Sequence, residues 1–278
     1  MDKIVTQFIE KRIRMLEELH HIHVLIWAFR GSLDIGIYRE NSDLDIIFIF
    51  RNLEKSKISA IHDIIGHGFD LWGWDIDDVI KTIRINTALY CQNEHKSFET
   101  VTLSQEHDRG SLAYHFGVFC AYGSKNIGGN PLFLEEAPAI FGQIMEKRVM
   151  MNDIMLGVKN AREKIVSTGT LSANEYLYTV WRILLSQHVF SGGLPGEADM
   201  SVLLDKYGSQ IANEVFDLNL KYKKARAKHS LRIKSAILNE FIVQESAEIE
   251  RKSLSLSPEN RDHLDQSIQD MHALIARC

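Results

Sequence analysis

The sequence has no apolar run near the roughly eighteen residues that a membrane-spanning helix needs. Its longest largely apolar stretches are His23-Val-Leu-Ile-Trp-Ala-Phe29 and Ile46-Ile-Phe-Ile-Phe50. These are strand lengths, and no membrane partner is expected. Cysteine is scarce: Cys91, Cys120 and Cys278 are an odd number without metal-type spacing. That excludes a disulfide framework and a zinc ribbon, and makes a reduced, cytoplasmic setting the expectation. The opening Met1-Asp-Lys-Ile-Val-Thr-Gln lacks the charged region and apolar core of a secretion signal. Only 4 prolines occur in 278 residues, which suits a largely helical chain. An excess of positive charge is missing as well: 32 basic against 37 acidic residues leave −5. A globally basic nucleic-acid binder is thereby excluded, although a local basic patch is not. With 45% hydrophobic and 25% charged residues the chain has the composition of a globular protein with a core.

The first half alternates strand and helix patterns. Residues 1–20 read as an amphipathic helix with Ile4, Phe8, Ile9, Ile13 and Leu16 near helical spacing. His20 to Phe29 reads as a buried strand, and Asp43 to Phe50 as a second strand with alternating faces. Ser56 to Ile65 reads as a short helix and Gly66 to Trp74 as a third strand carrying Asp70. Asp75 is placed to cap a following helix. Leu112 to Tyr122 fits either a strand or a helix. Gly128-Gly-Asn-Pro131 concentrates chain breakers, so a division is expected there, into residues 1–127 and 128–278. Beyond it the pattern is helical: Pro138 to Lys164, Ser172 to Ser191, Ala198 to Tyr207, Gln210 to Asn239 and Pro258 to Ala276. Ser172 with Glu175 three residues on has the form of a capping box. The expected fold is α+β: a small mixed sheet flanked by helices, followed by a helical bundle.

The chemistry concentrates between residues 31 and 70. Gly31-Ser32 ends a strand, ten residues follow, and Asp43-Leu44-Asp45 opens the next. Glycine allows a ligand close to the backbone, and a serine hydroxyl adds a donor for an anion such as a triphosphate. Asp43 and Asp45 lie two apart on a strand, so the pleat sets them on one face. Two adjacent carboxylates repel unless a counter-charge joins them, and Mg²⁺ takes oxygen ligands of this kind. A two-ion site for phosphoryl transfer calls for a third acid. Asp70, in Phe69-Asp-Leu-Trp72, is the candidate.

At these residues the chain resembles the DNA polymerase β-like nucleotidyltransferases. Their signature is an apolar strand, Gly-Ser, about ten residues, Asp-x-Asp, and a later strand with a third acid. It reads here as Trp27-Ala-Phe-Arg-Gly31-Ser32, Asn41-Ser42-Asp43-Leu44-Asp45-Ile46 and Phe69-Asp70-Leu71. The resemblance covers roughly residues 20–125. Asp70-Leu-Trp-Gly-Trp-Asp-Ile76 is similar to a stretch in predicted bacterial nucleotidyltransferases linked to RNA repair. Asn174-Glu-Tyr-Leu-Tyr-Thr-Val-Trp-Arg182 is similar to the substrate-side helix of aminoglycoside-type adenylyltransferases. The resemblance implies Asp43, Asp45 and Asp70 as metal-binding and catalytic acids, with Gly31 and Ser32 at the nucleotide phosphates. Ser42 and Arg182 complete the expected nucleotide-binding set. It also implies Mg²⁺, two ions at most, and a nucleoside triphosphate (ATP first among them) as co-substrate. The acceptor stays open among a small molecule, RNA and protein, as does the oligomeric state. The non-enzyme alternative is an inactive nucleotide-sensing or RNA-binding module of the same fold.

Other features have plainer readings. His20-His21-x-His23 sits at a helix-to-strand junction without an acid or cysteine at ligand spacing. Trp72 and Trp74 read as core. Arg182 lies in an apolar helix, where it serves either the phosphates or an ion pair. Lys221 to Lys234 holds seven basic residues and no acid. On a continuous helix Lys221, Lys224, Lys228 and Arg232 share a face, either solvated or turned to phosphates.

Overall fold

The computed structural model describes residues 3–30, 35–37, 44–65, 69–81, 127–144, 147–193, 199–224, 232–254 and 264–278. It has the expected α+β character. A four-stranded mixed sheet is followed by helices, in a chain where no described helix is long and apolar enough to cross a membrane.

Helix α1 (Lys3–His20) leads into β1 (His23–Arg30), with His21 at φ 52° in the tight connection. Strand β1 pairs antiparallel with β2 (Leu44–Arg51), and β2 pairs parallel with β3 (Phe69–Asp75). The parallel pairing requires a crossover, supplied by a 3₁₀ turn at Lys55–Lys57 and helix α2 (Ile58–Ile65). Asp75 caps the next helix, α3 (76–81), as its position in the sequence suggests. Its carboxylate accepts from the Asp77 N–H at 3.0 Å and from the Leu53 N–H at 2.6 Å.

Strand β4 (Ile127–Gly129) adds antiparallel to the outer side of β1, giving the order β3-β2-β1-β4. The first of the breakers at 128–131 therefore lie within this strand. Gly128 is needed because a Cβ there would stand 2.6 Å from the Trp27 ring. Gly129 has φ +141°, and a Cβ would stand 2.3 Å from the Leu25 carbonyl oxygen. Asn130 then caps α4 (Pro131–Ile144), its side-chain oxygen accepting from the Leu132 and Phe133 N–H groups at 3.0 and 3.2 Å. Pro131 occupies the first helical position, where a missing N–H costs nothing. The helix expected to start at Pro138 thus starts seven residues earlier, and Pro138 lies within it. The expected helix through Lys164 is two helices, α4 and α5 (Lys147–Thr168).

The remaining helices are α6 (Ala173–Phe190), α7 (Met200–Tyr207), α8 (Ala212–Lys224), α9 (Ala236–Leu254) and α10 (Leu264–Arg277). The capping box on α6 is as the sequence suggests: Ser172 Oγ accepts from the Glu175 N–H, and the Glu175 carboxylate accepts from the Ser172 N–H. Burial pushes the Glu175 carboxyl up, but hydrogen bonds from Lys164 and Ser172 and the Lys164 charge outweigh it and bring it down to about 2. One expected helix, Gln210 to Asn239, is broken. α8 stops at Lys224, Arg232–Ile233 form β6 against β5 (Leu171–Ser172), and Ser235 starts α9 by accepting from the Leu238 N–H. Long-range strand pairing and a serine cap prevail there over helical periodicity, so Arg232 does not share a helical face with Lys221 and Lys224.

The sheet separates two apolar layers. Ile9, Ile13 and Leu16 of α1 and Ile61, Ile64 and Ile65 of α2 cover Trp27, Phe29, Ile46, Phe48 and Phe50. On the other face Leu25, Ile26, Ala28, Ile47 and Ile49 join the cluster that runs through α4 and the later helices. Each of these buried large side chains contributes about 1.5–3 kcal/mol.

Candidate functional site

The site expected from the sequence lies where β1 ends and where β2 and β3 begin. Asp45 pairs with Arg30 across the antiparallel ladder and with Asp70 across the parallel one. Neighbouring strands lie about 4.8 Å apart, and residues paired in register share a face of the pleat. Arg30, Asp45 and Asp70 therefore form one row across three strands. Asp45 lies two residues from Ile47 and shares its face, the one that the helical half covers. Asp45 is half-buried.

The adjacent row has the opposite character. Phe29, Ile46 and Leu71 pair in register on the α1 face. Arg30 was not marked by the Asp-x-Asp pattern. Its signal is its position directly before Gly31, as the last residue of β1.

Gly31, Ser32, Ser42 and Asp43 lie outside the described residues. The ends of the connection that holds them are placed, because Arg30 and Asp45 are ladder partners. Its middle is placed too. Ile35 and Ile37 are buried in the core shared with the later helices. The Ile35 carbonyl accepts from the Met200 N–H at 3.1 Å, at the start of α7. The Gly36 carbonyl, at φ +78°, accepts from the Asn219 side-chain amide of α8 at 3.5 Å. Helices α7 and α8 thus brace the connection between the glycine-serine corner and the acids. Neither Asn219 nor Met200 carries a motif, since each acts on residues more than 160 positions away.

Arg182 stands half-buried on α6 against α5. A Cβ on Gly157 would stand 1.3 Å from its Nη1, so the bare glycine backbone makes room for the guanidinium. That contact sets it between α5 and α6. Trp74 packs against the shared core.

Among the described residues no group of three His, Cys, Asp or Glu side chains stands at metal-ligand spacing; Asp43 lies outside them. The chemistry of the donor set nonetheless suits a hard divalent cation. Asp45 and Asp70 are oxygen-donor residues on adjacent strands, and like charges in register destabilise a sheet without a counter-ion.

A groove of about 390 Å³ runs between α1 and β4, lined by Glu10, Arg14, Glu17, Trp27 and Asn130. It belongs to the α1 face and is separate from the Asp45 row.

Comparisons with family models, with curated proteins and with solved structures found no match to this chain.

Proposed function

We propose that the protein is a Mg²⁺-dependent nucleotidyltransferase that moves a nucleoside monophosphate from a triphosphate such as ATP to an acceptor hydroxyl, releasing pyrophosphate. The observation that carries this reading is the register of Asp45 with Asp70 on parallel strands, at the end of the sheet where Gly31 follows Arg30.

Asp43, Asp45 and Asp70 would hold the metal. Bound there, Mg²⁺ neutralises triphosphate charge and makes the acceptor hydroxyl more acidic. The chain's own residues do the rest. Gly31 lets the backbone approach the phosphates, and Ser32 and Ser42 add hydroxyl donors beside them. Arg30 is the ladder partner of Asp45 and directly precedes Gly31. The bonds from Met200 and Asn219 tie Ile35 and Gly36, within that connection, to α7 and α8. In this reading Asp70 completes the metal site and helps to deprotonate the acceptor.

The test is incubation with each labelled nucleoside triphosphate and a panel of acceptors: RNA, protein including the enzyme itself, and aminoglycosides. Transfer with stoichiometric pyrophosphate is expected from the parent protein and not from Asp45→Asn. Nucleotide binding with no pyrophosphate from any acceptor would select the alternative, a nucleotide-sensing or RNA-binding module.

A further inference from the structure

The exposed side of α8 has a composition that its packing does not explain. Its inner side buries Val215, Leu218 and Tyr222. Its outer side carries Phe216 and Leu220, 48% and 54% exposed, four residues apart and therefore neighbours on one stripe. Lys223 and Lys224 continue the same stripe one turn later, both exposed. Among the described residues neither lysine has an ion-pair partner. Of the helix's two acids, Glu214 accepts from the Ser235 hydroxyl at 2.8 Å, and the exposed Asp217 borders the stripe, three residues before Leu220 and seven before Lys224. An aromatic ring, an aliphatic side chain and two ammonium groups thus line up on a protein whose net charge is −5.

The stripe also has an address. Asn219 stands beside it on the same helix and reaches Gly36, in the connection that leads to Asp43 and Asp45.

We propose that this stripe is the acceptor-binding surface and that the acceptor is a single-stranded nucleic acid. Bases stack on Phe216 and Leu220, while Lys223 and Lys224 meet phosphates. A base offers a flat apolar face and its backbone a negative charge, which suit an exposed ring followed by two ammonium groups; stacking on an exposed aromatic tolerates any base sequence. The inference that the surface serves an acceptor rests on the proposed transfer reaction, whereas binding itself does not.

The experiment measures fluorescence anisotropy of a labelled single-stranded RNA 20-mer with the full chain, without nucleotide, over a series of salt concentrations. Binding is expected to weaken with salt, with a logarithmic slope near −1.4 from two lysine–phosphate contacts at about 0.7 each. Phe216→Ala is expected to weaken binding about tenfold. Lys223→Gln with Lys224→Gln is expected to weaken it and remove most of the slope. All variants should keep the parent melting temperature, because the substituted side chains are exposed. Asp45→Asn should bind as the parent does, which separates this surface from the chemistry. No binding at low salt, or binding indifferent to Phe216 and the lysines, overturns the proposal even if pyrophosphate is released. Capture of an acidic amphipathic peptide in place of RNA also overturns it.

Discussion

The two faces of the sheet are built from the same three strands and end differently. On the α1 face the apolar rows continue to the strand ends: Phe29, Ile46 and Leu71 are ladder partners, with Phe48 and Phe50 stacked 5.6 Å apart behind them. On the other face the aliphatic row Ala28 and Ile47 gives way, two residues along, to Arg30, Asp45 and Asp70. The first face is closed by α1 and α2 and serves stability. The second is apolar where the helical half covers it and carries the half-buried Asp45 near the start of β2. Burying unpaired acids costs several kcal/mol, so a charged row at the rim of a core is kept only with counter-charges or ligands to meet it.

This contrast can be broken from either side. Asp45→Asn should reduce transfer at least about a thousandfold, since it removes a ligand from the reacting group. Its melting temperature should stay at or slightly above the parent value without Mg²⁺, because a like-charge neighbour of Asp70 is gone. Added Mg²⁺ should raise the parent's melting temperature and leave that of Asp45→Asn almost unmoved. Melting followed by circular dichroism with and without the ion checks both. The opposite face should respond in the opposite way. Phe48→Ala, at a fully buried position, should cost about 3–5 kcal/mol in denaturant unfolding. Any protein that stays folded should keep its Mg²⁺ response.

Two glycines sharpen the comparison between sheet and helices. Gly129→Ala forces a Cβ to 2.3 Å from a backbone oxygen at φ +141°, and should cost about 2–4 kcal/mol by detaching β4 from β1. Gly157→Ala meets only the end of the flexible Arg182 side chain and should cost about 1 kcal/mol. If the two cost the same, the rigid-backbone argument at β4 fails.

The smallest effect is expected at the α6 cap. Ser172→Ala should cost about 1 kcal/mol at neutral pH. Glu175 sits at about 2 when folded against an ordinary value near 4.5. A depressed carboxyl stabilises the fold fully above the unfolded value, and that stability fades as pH falls from about 4.5 towards 2. The Glu175 side chain is 28% exposed and Lys164 more so, so solvent screening keeps the effect near 1 kcal/mol. Glu175→Gln should flatten the pH dependence of stability in that window, as acid titration of the melting temperature would show.

The helical half was legible wherever its signals were local. Ser172 with Glu175 on α6 and Asp75 before α3 are caps that act within three residues. Asn130-Pro131 is also a local signal, a cap followed by a first-turn proline, but its glycine neighbours resemble a linker unless β1 is known to lie beside them. Periodicity misled at Lys221–Lys234, where the helical pattern continues through residues that tertiary pairing places in β6. In the candidate site, the Asp-x-Asp spacing and the third acid could be read off the chain. Arg30 as their neighbour and Asn219 as the brace could not.

By itself, then, the order of amino acids determined the element types, the caps, the apolar faces and the two-residue spacing of the acids. These depend on contacts within about a turn of helix or a pleat of strand. Folding decided that Asp45 meets Asp70 rather than a residue one step away, that β4 joins the sheet, and that α8 lies beside the connection at Gly36. Each of those contacts joins residues far apart in sequence. Which partner each residue meets is set by how two apolar layers close on opposite sides of one sheet, and no short window of the chain contains both sides.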